Sequence, residues 1–167
     1  MKNFIVVIFF LIVHHTAKAQ DVFSYAKEDN VVQLSDHKAE INAKNAQGYT
    51  PLILSVYNNK YNAAKWLLEN GAQPDLQDNS GNTALMGAVF KGYYDMVQLL
   101  ISNKANLNTK NYNDATALIY ASVFGKTEVI KILLENGADK SIKDNRGKTA
   151  LDHALMQNNE DAIKLLQ

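Results

Sequence analysis

Apolar residues recur along this chain with a period of 33. Four threonines mark it, Thr50, Thr83, Thr116 and Thr149, and two residues beyond each stands Leu52, Leu85, Leu118 or Leu151. Sixteen and seventeen residues after each threonine comes an apolar pair: Trp66-Leu67, Leu99-Leu100, Ile132-Leu133 and Leu165-Leu166. A shared period of this length predicts a stacked array of repeats, each too small to bury its own apolar face.

Within each period the local chemistry repeats. Gly48, Gly81 and Gly147 stand two residues before the threonine and permit a tight turn with positive φ, and Asp114 takes the same place in the third repeat. The threonine is placed to cap a short helix, over residues 52–57, 85–90, 118–124 and 151–156. Pro51 falls on a first helical position, where its missing N–H costs nothing. Asn58-Asn59, Gly92, Gly125 and Asn158-Asn159 then interrupt the chain before a second helix. That helix carries apolar residues at helical spacing, as in Ala63, Ala64, Leu67 and Leu68, or Val129, Ile130, Leu133 and Leu134. Gly71 and Gly137 are expected to end it in the left-handed conformation, with Lys104 as a costlier substitute. Each apolar pair, Trp66 included, is expected in the core.

The repeats run over residues 45–77, 78–110 and 111–143, with a capping repeat over 144–167. Residues 20–44 form a partial repeat that covers the first full one, because Leu34 and Ala39 lie one period before Leu67 and Ala72. Residues 20–24 are expected to be loose.

These residues resemble the ankyrin repeat. Asp78-x-x-Gly81-x-Thr83-Ala84-Leu85 and Asp144-x-x-Gly147-x-Thr149-Ala150-Leu151 follow the opening of its pattern, and Glu135-Asn136-Gly137-Ala138-Asp139 follows its close. The resemblance covers residues 39–167. It implies an all-α fold, an ankyrin-repeat solenoid of helix-turn-helix units with β-turn connections, and a binding scaffold without cofactor or catalysis. Two departures stand out. The family's histidine after the leucine is replaced by Ile53, Met86, Ile119 and Asp152, so the turn layer is expected to be less firmly braced. Proline follows the threonine only at Pro51.

The first twenty residues predict a route. Lys2 precedes an apolar run of ten residues, 4–13, and Ala17-Lys18-Ala19 supplies a small-x-small cleavage pattern. This is the layout of a secretory signal peptide over residues 1–19. Ten apolar residues cover about 15 Å of a roughly 30 Å hydrocarbon core, too little for a span. Export is therefore expected, to the periplasm of a Gram-negative bacterium or to the medium, with no membrane insertion of the mature chain.

Charge and chemistry narrow the function. The chain has 17 basic and 17 acidic residues. Losing Lys2 and Lys18 with the leader leaves 15 against 17, a net charge of −2, without the basic field that nucleic acid requires. There is no cysteine, so disulfides, thiolate nucleophiles and cysteine zinc sites are excluded. After the leader only His37 and His153 remain. Asp152 and His153 are neighbours about 100° apart on a helix and form no dyad with each other. His153 reads as a polar residue on the groove side of the cap. No metal or cofactor site emerges, and an enzyme is the most distant reading.

What the fold does not need points to a partner. By the resemblance, ligands meet the turn tips and the exposed side of the first helices. Those positions carry Tyr49, Asn82, Tyr112, Asn113 and Arg146 on the tips, and Tyr57, Asn58, Phe90, Lys91 and Phe124 on the helices. Tyr57, Phe90 and Phe124 are expected to form an aromatic line, the kind of surface that makes binding hot spots. The alternative for Phe90 and Phe124 is packing between first helices. The expected function is a monomeric scaffold binding another protein, as accessory factor of an exported enzyme or as inhibitor or immunity partner. A structural role in an envelope assembly is the alternative.

Overall fold

The computed structural model describes residues 22–167, and the expected signal peptide over 1–19 lies outside the described residues. Every regular element among them is helical. The chain divides into two compact parts, one ending at Ala72 and one spanning Gln73–Gln167.

The first part begins with α1, helical over residues 22–28, then α2 (Val31–Leu34) and a 3-10 turn (Ser35–Glu40). It continues with α3 (Pro51–Tyr57) and α4 (Tyr61–Glu69), which pack against each other. Leu34 is fully buried, and α2 lies on α4. The expectation of loose residues at 20–24 fails for Val22 and Phe23, which are helical and buried. Asp29 ties this segment down. Its carboxylate accepts from the Ala63 N–H at 2.6 Å and from Asn62 Nδ2 at 2.9 Å, at the start of α4, where the backbone donors lack helical partners.

The second part holds three helix pairs: α5 (Ala84–Lys91) with α6 (Tyr94–Ser102), α7 (Ala117–Val123) with α8 (Thr127–Glu135), and α9 (Ala150–Met156) with α10 (Glu160–Leu166). The first helices α5, α7 and α9 pack side by side, and α6, α8 and α10 follow as an outer layer. Leu85, Leu118, Leu100 and Leu133 are buried between the layers.

Why the helices start where they do is local. Each threonine is extended in the backbone, and its Oγ1 accepts from the N–H three residues on: Ile53 at 3.2 Å, Met86 at 3.4 Å, Ile119 at 3.4 Å and Asp152 at 3.2 Å. Thr149 goes further, because Asp152 returns a bond to the Thr149 N–H at 2.8 Å and completes a capping box. The turns before them share a second device. Asn45, Asp78, Asn111 and Asp144 each accept two backbone N–H bonds through one side-chain oxygen, from the residues two and four positions on. An Asx residue with that reach closes the turn by itself.

The second member of each apolar pair proves to be core, and of the first members Leu99 is buried with it. Leu67, Leu100, Leu133 and Leu166 are at most 2% exposed. Trp66 is instead half-buried, with the Lys38 ammonium 5.8 Å from its ring centre. Adjacent residues on a helix point about 100° apart, so Trp66 covers the flank that Leu67 leaves.

Candidate functional site

In the first part, the rings of Tyr49 and Tyr57 lie 5.7 Å apart, tilted by 52°, and both are half-buried. Asn58 is exposed, but its Nδ2 donates to the Leu54 carbonyl at 2.7 Å and so closes the end of α3. That bond answers an orphan carbonyl of the last turn, so the amide is committed to the helix.

The second part brings together more of the expected residues. Phe90 at the end of α5 and Phe124 just after α7 are 44% and 42% exposed. They meet edge to face at 4.9 Å and 77°, and Tyr120 adds a second edge contact to Phe124 at 5.7 Å. Such pairs are worth about 0.5–1.5 kcal/mol beyond the area they bury. The two rings thus touch each other and still face water. The Lys91 ammonium sits 5.8 Å from the centre of the Phe90 ring.

The turn tips are bonded to one another. The Tyr112 N–H donates to the Ser80 carbonyl at 3.2 Å, and the Asn145 N–H to the Asn113 carbonyl at 2.9 Å. Tyr112 is 72% exposed, yet its backbone and ring edge rest on Gly81, where a Cβ would come within 2.7 Å of each. Asn82, expected as a binding residue, braces this layer. Its Oδ1 accepts from Asn111 Nδ2 at 2.9 Å and from the Tyr120 hydroxyl at 3.0 Å, while Asn111 Nδ2 also reaches that hydroxyl at 3.1 Å. Burial raises the Tyr120 hydroxyl above its ordinary pKa, against the lowering effect of Asn111, and the charge of Asp78 raises it further. The tips are thus braced despite the missing histidines.

His153 corrects a second expectation. It is buried, and its Nε2 lies 2.8 Å from Asp144 Oδ2. A helix neighbour could not make this pair; a residue nine positions upstream does. Asp144 gives its other oxygen to the N–H groups of Arg146 and Lys148, each at 2.9 Å. Burial alone would push its carboxyl up. The Lys148 N–H, His153 and the Arg146 N–H outweigh that and hold it at about 2.

Between these groups opens a cavity of about 500 Å³. Ile119, Tyr120, Val123 and Phe124 form its apolar side. Asn113, Asn145 and Arg146 form the polar side, with buried Asp144 behind them. Arg146 is 68% exposed, and its Nη2 keeps a 3.6 Å contact to Asp144 Oδ2. Tyr120 and the Asp144–His153 pair went unnoticed in the sequence. The aspartate opening of the turn motif and a histidine within the following helix were the available signal.

Among the described residues no cluster of three His, Asp or Glu side chains converges to hold a metal, and no helix is long and apolar enough to cross a membrane.

A family model described as ankyrin repeats (3 copies) matches residues 20–111 and 107–167. No curated protein matches the chain. Repeats of this family are general protein–protein interaction modules and typically non-enzymatic.

Proposed function

Because the chain belongs to the ankyrin-repeat family, we propose that it is an exported, non-catalytic scaffold that grips another protein through its turn tips and first helices. The observation that carries this reading is the Phe90–Phe124 pair, two rings more than two-fifths exposed beside the Arg146 cavity. Exposed aromatics next to an arginine are the composition of binding hot spots, whose truncation typically costs 2 kcal/mol or more, roughly thirty-fold in affinity. The polar rim of asparagines adds directional bonds at little desolvation cost. Export rests on residues 1–19, with their apolar run and Ala17-Lys18-Ala19 pattern. In that setting the partner is an exported enzyme served by an accessory factor, or a toxin held by an inhibitor.

The test is in-cell crosslinking of the tagged protein followed by mass spectrometry, in the wild type and in the Phe90→Ala/Phe124→Ala variant. Loss of one dominant partner, with unchanged circular dichroism, is the expected result. A partner that crosslinks equally well to the folded double variant would refute the role given to these rings. Fractionation of the same cells checks export, which fails if the full-length precursor stays in the cytosol.

A further inference from the structure

The cavity between the third and fourth turn tips carries more information than an aromatic patch alone. Its two sides differ in kind: aliphatic and aromatic carbon from α7 and Phe124 on one, amides and a guanidinium from the tips on the other. The one carboxylate bordering it is already spent. Asp144 is 8% exposed, and its oxygens are taken by two backbone N–H groups and by His153. Arg146 is different. A guanidinium has five N–H donors, and its ion pair with Asp144 is a loose contact of 3.6 Å. Lys91, whose ammonium lies 5.8 Å from the centre of the Phe90 ring, is a second exposed cation, beside the ring that meets Phe124. The cavity thus has one apolar side and one polar side, with the Arg146 guanidinium on the polar one.

We propose that this cavity seats an extended segment of the partner protein, with one bulky apolar side chain against Val123 and Phe124 and an aspartate or glutamate side chain, within a few residues of it, paired with Arg146. The inference rests on the binding reading above and names the chemistry of the partner. A volume of about 500 Å³ lies within the roughly 300–1,000 Å³ of ordinary ligand pockets, enough for a side chain and its adjoining backbone. Arginine presents its donors in a fork that matches a carboxylate in two parallel bonds, so the acidic partner also sets the register of the segment.

The test is selection of a random linear peptide library on the full chain, followed by fluorescence anisotropy on the enriched peptides, synthesised with amidated ends. Enriched sequences are expected to place Asp or Glu within a few residues of a large apolar residue. Arg146→Gln should weaken them about ten-fold. Replacing the peptide's acid by its amide should weaken wild-type binding equally and leave Arg146→Gln binding unchanged. Val123→Glu, which puts a charge into the apolar side, should abolish binding with circular dichroism intact. Should Val123→Glu fail to fold, the double-substitution cycle on Arg146 decides alone. Enriched peptides without an acid, equal affinity for Arg146→Gln, a requirement for a free peptide C-terminus, or no enrichment at all would each overturn the proposal. Peptides insensitive to Arg146→Gln but lost on Phe90→Ala/Phe124→Ala would sink the cavity and leave the wider binding face standing. Peptides insensitive to all of these variants would sink both.

Discussion

Gly81 and Gly147 occupy the same place in the repeat, two residues before Thr83 and Thr149, and have nearly the same backbone, with φ of +78° and +72°. Their surroundings differ. A Cβ on Gly81 would lie 2.7 Å from the Tyr112 nitrogen, 2.7 Å from its Cδ1 and 3.0 Å from the Asn111 Cα, whereas Gly147 has nothing within 4 Å. Replacing each by alanine separates conformational cost from packing cost. The left-handed backbone costs an L-residue about 1–2 kcal/mol, offset by about 0.4–1 kcal/mol from the stiffer unfolded chain. Gly147→Ala should therefore destabilise by no more than about 1.6 kcal/mol. Gly81→Ala carries the same cost plus overpacking against backbone that has no rotamer to escape into, about 1–3 kcal/mol more. The strain should fall on the Tyr112 N–H bond to Ser80. Urea denaturation gives the totals, with an unchanged slope as the check on comparability. Repeat arrays open in segments, so amide exchange at residues 78–82 and 111–116 locates the effect. Equal losses for the two variants, within about 0.5 kcal/mol, the usual error of additivity, would refute the claim that tip-to-tip packing is what requires Gly81.

Four further outcomes are expected. The Asp144 carboxyl, held at about 2 against an ordinary 3.8, contributes stability above its unfolded pKa that is lost as pH falls through that window; Asp144→Asn should flatten the acid limb of urea midpoints measured from about pH 5 to about pH 2. An unchanged acid limb would remove Asp144 from the account. Lys104 has φ +63° where the other repeats have Gly71 and Gly137, so Lys104→Gly should stabilise by about 0.5–1 kcal/mol in thermal unfolding, and a loss would contradict the strain argument. The Ser122 hydroxyl is buried without a hydrogen-bond partner, so Ser122→Ala should be neutral or stabilising by about 1 kcal/mol in denaturant titration. Thr116→Ala removes the cap on the Ile119 N–H and should cost about 1 kcal/mol by the same assay.

Much of the site was open to sequence reading because exposure follows the repeat register. Phe90, Lys91, Tyr112, Asn113, Phe124 and Arg146 all lie on the surface at the tips or the ends of first helices. Asn58 and Asn82 fell outside this logic, since an exposed-register amide is free only if no backbone or side-chain group comes near it. Leu54 and Asn111 do come near, and the amides are consumed.

By itself the sequence determined whatever depends on residues a few positions apart. The threonine reaches the N–H three residues on, the Asx side chain reaches those two and four on, and glycine frees the turn; each short reach repeats with the period and gives the helix pairs. Tertiary structure decided what depends on how successive repeats are laid side by side. Tyr120 finds Asn82 across 38 residues, Phe90 finds Phe124, and the tips of Asn113 and Arg146 close a cavity over α7. Spacing along the chain carries no information on those meetings, because the distance between two side chains in neighbouring repeats is set by the packing of the helices beneath them.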